Sequence, residues 1–85
     1  MAYPSETVPA ARAAASVQTF EWRHLRFLVV TAEPLLADQV RTIKRTLPRV
    51  ASVGMFADVL GMVLGRHVRI RTVRPSLNVA FEVGL

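Results

Sequence analysis

Basic side chains are the residues of this chain whose type and spacing could do chemistry. They fall in two groups, one on a predicted helix and one around a predicted strand. A guanidinium matches phosphate or carboxylate oxygens with two parallel hydrogen bonds. The members are Arg41, Lys44 and Arg45 in the first group, and Arg66, Arg69, Arg71 and Arg74 in the second. They form the predicted nucleic-acid or anion-binding set, and such binding should weaken steeply as salt rises.

Two aromatic residues near the start of the chain, Phe20 and Trp22, are candidates for contact with a partner. Aromatic rings stack on the bases of single-stranded nucleic acids, and aromatic and arginine residues are also enriched at the centres of protein interfaces. Both interpretations stay open beside a third, in which the rings belong to the core. The sequence shows none of the motifs that mark common nucleic-acid-binding domains.

Catalysis is not predicted. The chain has no cysteine and only two histidines, His24 and His67. Its acidic residues form no recognisable acid–base pair, and no phosphate loop, dinucleotide fingerprint or nucleophile motif is present. His24 and Glu21 are three residues apart on a predicted strand, so their side chains should lie on opposite faces. We expect a protein without enzymatic activity, a metal site or a cofactor.

The composition predicts a single small domain. The chain has 85 residues, a mass of 9.4 kDa, a formal net charge of +5 and 52 % hydrophobic residues. The missing cysteines exclude a disulfide scaffold, and the hydrophobic content argues against disorder. Arginine richness is also typical of GC-rich or overlapping reading frames, which would suit a viral or newly arisen gene. No apolar stretch is long enough to span a bilayer and no secretory signal is evident, so an intracellular, cytoplasmic protein is expected.

The first part of the chain is expected to be a flexible tail over residues 1–16, followed by one long strand over residues 17–31. Phe20 and Trp22 alternate with polar residues, and Leu25, Phe27 and Val29 alternate on the other parity. This change of phase is interpreted as a β-bulge. Because the last part of the strand is apolar on both faces, it should be covered on both sides.

Two helices and a hairpin should follow. The first helix should be capped by Thr31 or Glu33, with Pro34 in its first turn, and end at Pro48. Its apolar stripe is Leu36, Val40, Ile43 and Leu47. The second should run over residues 53–64, between a Ser52 cap and Gly65. The hairpin should pair residues 68–73 with 77–83 across a turn at Pro75 and Ser76.

This order predicts an α+β domain over residues 17–85. Its mixed three-stranded sheet should have β-α-α-β-β order, with the helices on one face. The first strand should lie at an edge of the sheet, beside the second. An exposed apolar edge invites pairing with another chain, so the sequence predicts a homodimer, joined edge to edge or face to face. The alternative is a monomer whose N-terminal tail covers the edge. The predicted dimer edge consists of Leu25, Phe27, Leu28, Val29 and Val30.

The resulting hypothesis is a small non-catalytic interaction module, of the accessory, adaptor or inhibitor type, that acts as a homodimer and contacts an unidentified protein. The first alternative is a nucleic-acid-binding protein that uses its arginines on RNA or DNA. The second is association with a membrane surface through the apolar second helix, although interfacial helices usually carry basic residues on their polar side.

Overall fold

The computed structural model describes residues 15–73 and 77–84, which form an α+β domain with four strands and two helices. The elements in chain order are β1 (Ser16–Trp22), β2 (Leu25–Thr31), α1 (Ala37–Thr46), a 3-10 turn (Leu47–Arg49), α2 (Val53–Leu64), β3 (Val68–Val73) and β4 (Asn78–Val83). Ser16, expected at the end of the tail, is the first residue of β1. Residues 1–14 and the predicted turn at Pro75 and Ser76 lie outside the described residues.

The single strand expected over residues 17–31 is a β-hairpin. Trp22 pairs with Leu25 and Phe20 pairs with Phe27, so β1 and β2 are antiparallel. The change of phase is therefore a two-residue turn and the predicted bulge is wrong. Arg23 has a φ of 56°, a left-handed conformation that primed hairpin turns require at their first central residue. Two turn residues keep Trp22 and Leu25 on the same face of the sheet.

The sheet order also differs from the prediction. The strands lie in the order β1-β2-β4-β3, with β2 parallel to β4 and β3 antiparallel to β4. The predicted sheet had three strands and placed residues 68–73 beside the first strand. Instead β4, with Val79, Ala80 and Phe81 buried, lies in the centre, and β3 with its exposed arginines lies at an edge. Apolar strands are stable in a sheet centre, whereas charged strands suit its edges.

Both helices pack on one face of the sheet. Phe56 of α2 lies in the middle of an aromatic cluster, with ring centroids 4.6 Å from Phe27, 5.0 Å from Phe81 and 6.1 Å from Phe20. Ile43 of α1 is buried in the same hydrophobic core. These aromatic contacts are tilted or edge-to-face, as the ring quadrupoles favour. The core therefore lies entirely between the helices and one face of the sheet.

Helix α1 begins later than predicted. Its N-cap is Leu36, which has extended backbone angles, so neither Thr31 nor Glu33 caps it. The Gln39 side-chain oxygen accepts a hydrogen bond from the Leu36 amide, 2.8 Å away. Ile43 is buried as expected, but Leu36 is 66 % exposed and does not belong to the packed stripe. Pro34 indicated an earlier start, because proline fits the first turn of a helix. It fits an extended segment before a helix equally well, and the sequence alone does not distinguish the two.

Helix α2 has the predicted boundaries. The Ser52 hydroxyl accepts a hydrogen bond from the Met55 amide at 3.1 Å, and Gly65 ends the helix with a φ of 65°. Phe56 and Leu60 are buried, whereas Met62 is 82 % exposed. No helix in the described part of the chain is long and apolar enough to cross a membrane.

Replacing Ser52 by alanine should lower the free energy of unfolding by about 1 kcal/mol, because the Met55 amide loses its side-chain acceptor. For a domain of this size, that corresponds to a fall of about 4–8 °C in Tm. Thermal unfolding followed by circular dichroism measures it. The matched control, Ser52→Asp, retains an acceptor and should unfold close to the wild-type temperature. Equal losses in both variants would contradict the capping role.

Candidate functional site

The face of the sheet that the helices leave uncovered is the candidate site. Because side chains alternate along a strand, the residues between the core positions project to this side. We call this surface the open sheet face. Its described side chains are Val17, Thr19 and Glu21 of β1, Arg26, Leu28 and Val30 of β2, Asn78, Ala80 and Glu82 of β4, and Arg69 and Arg71 of β3.

The strand registers arrange this face in rows. The middle row runs from Thr19 through Leu28 and Ala80 to Arg71. The centre of the row is apolar, and its two ends lie on the edge strands. Ala80 is only 8 % exposed, because its small side chain lies between larger neighbours.

A second row extends the apolar centre. It runs from Val17 through Val30 and Glu82 to Arg69. Val17 is 57 % exposed, and Val30 is half-buried. Together with Leu28 and Ala80 of the middle row, these valines make a continuous apolar patch across three strands.

The charged residues of the open sheet face lie beside opposite charges. Arg71 Nε is 3.6 Å from Glu82 Oε2, and the two side chains are 60 % and 39 % exposed. Arg69 lies directly across from Glu82, and Arg26 lies across from Glu21 on the neighbouring strand. Exposed ion pairs contribute at most about 1 kcal/mol, but they lower the net charge of the face. Three arginines and two glutamates leave it with a charge of +1.

The structure separates the predicted basic set. Arg69 and Arg71 project from the open sheet face, whereas Arg41, Lys44 and Arg45 belong to α1, in the layer on the opposite side of the sheet. Arg41 also forms an ion pair with Asp38 on the same helix.

Two predicted basic residues lie apart from both groups. Arg66 follows α2 and lines a cavity at the carboxyl ends of β2 and β4. Arg74 lies outside the described residues. The described basic residues of the predicted set therefore lie in three separate places, on α1, on β3 and after α2.

The predicted aromatic contacts belong to the core. Phe20 is 3 % exposed, so its ring is part of the core, which is the third of the interpretations that the sequence left open. Trp22 is half-buried and stacks on Phe27 with a centroid distance of 5.3 Å. Its indole N–H donates a hydrogen bond to the Val50 carbonyl oxygen at 3.1 Å. The Arg23 guanidinium carbon lies 4.3 Å from the indole ring centroid. Trp22 therefore contacts Phe27, Val50 and Arg23 of its own chain.

The predicted dimer edge is not an edge, because β2 lies between β1 and β4. Its residues divide between two faces. Phe27 and Val29 are buried in the core, and Leu25 packs against that core. Leu28 and Val30 project to the open sheet face. The apolar character on both faces of this strand is thus real, but its outer half lies on a face and not along an edge.

Sequence reasoning missed the contributions of Val17, Arg26 and Ala80 to this surface. These residues come together only because β1 pairs with β2 and β4 pairs with β2. One signal for the hairpin was present in the sequence. Two residues separate Trp22 from Leu25, which is the length of a tight hairpin turn, and such a turn leaves both side chains on the same face of the sheet. Nothing in the sequence around Ala80 indicates that this residue lies beside Leu28.

A cavity of about 380 Å³ lies at the carboxyl ends of the parallel strands β2 and β4. Thr31, Leu36, Leu64, Arg66 and Val83 are among its lining residues. The lining combines apolar side chains with polar ones, among them Glu33, Gln39 and Arg66. Within residues 15–73 and 77–84, no three histidine, cysteine, aspartate or glutamate side chains lie close enough together to hold a metal ion.

The open sheet face combines an apolar centre with charges compensated in place, which suits contact with another protein surface more than proton transfer or metal chemistry.

No family model, no curated protein and no solved structure matches this chain.

Proposed function

We propose that this protein is a small non-catalytic interaction module that acts as a homodimer, with the open sheet face joining the two copies. The observation that carries the proposal is the apolar patch of Val17, Leu28, Val30 and Ala80 on a sheet face that no element of the described chain covers. Burial of such a patch against another sheet is favourable by about 25 cal/mol per Å². Two sheets packed in this way form a sandwich.

A second copy of the chain is the occupant that the dimensions favour. Four strands of six or seven residues make a face about 19 Å by about 20 Å. Two such faces have a combined planar area of about 760 Å². Because side chains project from each sheet, the buried accessible area is on the order of 1,000 Å², which lies at the small end of specific interfaces. A partner of the same shape covers the whole patch. Because the interface is small, the dimer should dissociate on dilution.

The charge pattern supports protein contact over the nucleic-acid alternative. Glu82 lies beside both Arg69 and Arg71, so phosphates would have to compete with a carboxylate for these guanidinium groups. No aromatic side chain is among the described residues of this face, whereas sheet surfaces that bind single strands present rings to the bases.

Salt separates the two functions in one experiment. Light scattering gives the mass of the purified protein at low and high salt, with and without a mixed-sequence oligonucleotide. Each copy carries a net charge of +5, and salt screens the repulsion between copies. A dimer held by apolar contact should therefore persist at high salt, without bound oligonucleotide at either salt concentration.

Nucleic-acid binding would reverse this pattern, because phosphate contacts weaken steeply with salt. If the oligonucleotide binds at low salt, and the double variant Arg69→Ala with Arg71→Ala abolishes that binding, the open sheet face is a nucleic-acid surface and the proposal is overturned. The double variant Arg41→Ala with Arg45→Ala on α1 is the matched control for removing two positive charges from the other side of the domain.

A further inference from the structure

We infer that the two copies pack about a two-fold axis parallel to the strands, so that β1 of one copy lies over β3 of its partner. This inference rests on the proposed function and specifies the geometry of the same surface. Closed dimers use one patch on both copies. Two packed sheets with nearly aligned strands therefore have two symmetric arrangements, one with the axis along the strands and one with the axis across them.

The middle row of the open sheet face distinguishes the two arrangements. With the axis across the strands, each strand lies over the same strand of the partner. Arg71 of one protomer then faces Arg71 of its partner. Two guanidinium groups would then be brought together at the margin of an apolar interface. Like charges opposed across an interface are strongly unfavourable, because desolvation strengthens their repulsion.

With the axis along the strands, the same row matches favourable partners. Arg71 of one protomer lies over Thr19 of its partner, and the partner's Glu21 is the next outward-facing residue along that strand. Leu28 lies over Ala80, which places a large side chain against a small one. The acidic edge of one copy thus meets the basic edge of the other, twice in each dimer.

The edge strands carry the charge difference that this arrangement requires. On the open sheet face, Glu21 is the only charged residue of β1, and both charged residues of β3 with described side chains are arginines, Arg69 and Arg71. Opposite edges of the sheet therefore have opposite sign. A two-fold axis along the strands exchanges these edges, whereas an axis across the strands superimposes each edge on itself.

Thiol cross-linking tests the axis directly, since the chain contains no cysteine and each introduced thiol is unique. The variants are Thr19→Cys and Arg71→Cys, and the reagent is a short bis-maleimide that spans the spacing of about 10 Å between packed sheets. An equimolar mixture of the two variants should give cross-linked dimer that contains one copy of each. Thr19→Cys alone should give none, because its two thiols lie at opposite edges of the dimer.

The converse result would overturn the inferred axis. If Thr19→Cys alone cross-links efficiently, or if the mixture gives no cross-linked dimer while sedimentation shows that both variants are dimeric, the axis does not lie along the strands. A monomeric wild-type protein would instead contradict the proposed function itself. Arg71→Ala is the control for the lost guanidinium, and Asp58→Cys on α2 is the control for cross-linking by random collision.

Discussion

Replacing Phe56 by alanine should strongly destabilise the folded protein. The side chain is fully buried and contacts the rings of Phe20, Phe27 and Phe81. Truncating a buried phenylalanine lowers the free energy of unfolding by about 3–5 kcal/mol. A domain of this size has only about 4–13 kcal/mol in total, so the loss is a large fraction of its stability.

Chemical denaturation followed through the single tryptophan measures this effect. Trp22 stacks on Phe27 within the same core, so its emission reports whether the aromatic cluster is intact. Met62→Ala is the matched control, because this residue lies on the same helix but is 82 % exposed. It should change the free energy of unfolding by less than about 0.5 kcal/mol. Equal effects of the two substitutions would show that the cluster is not the centre of the core.

Replacing Leu28 by aspartate should convert the proposed dimer to a folded monomer. Leu28 lies in the middle row of the open sheet face, where dimer formation would bury the new carboxylate in apolar surroundings. A substitution at the centre of an interface weakens binding by about 2 kcal/mol or more, which is about 30-fold in the dissociation constant. The monomer itself should stay folded, because the side chain points away from the aromatic cluster.

Sedimentation of Leu28→Asp beside Met62→Asp measures this loss, since Met62→Asp adds the same charge to the outer side of the helix layer. Tryptophan emission confirms that both variants are folded. A dimeric Leu28→Asp protein with wild-type affinity would place the contact elsewhere, for example along the outer edge of β1 or β3.

The elements with local signals could be predicted from the sequence. Ser52 and Gly65 mark the ends of α2 with side-chain and backbone chemistry that acts within one turn. The alternation around Arg69 and Arg71 correctly placed both arginines on one face of a strand. These features depend on the nearest residues along the chain, and their physical causes are visible in the sequence itself.

The strand order and the open sheet face depend on contacts that are distant in the sequence. The Arg23–His24 turn contains none of the glycine, asparagine or proline residues that usually mark a hairpin, so β1 and β2 looked like one strand. The choice of β4 over β3 as the neighbour of β2 is decided by burial across the whole sheet. Without that order, Val17, Leu28 and Ala80 could not be assigned to one surface.

Sedimentation equilibrium of the wild-type protein over a wide concentration series tests the central claim most directly. We expect a mass of about twice the 9.4 kDa of one chain at high concentration, falling towards that of one chain on dilution. Salt should weaken the association of the two copies only slightly. A single 9.4 kDa species at every concentration would contradict the claim that a second copy covers the apolar patch of the open sheet face.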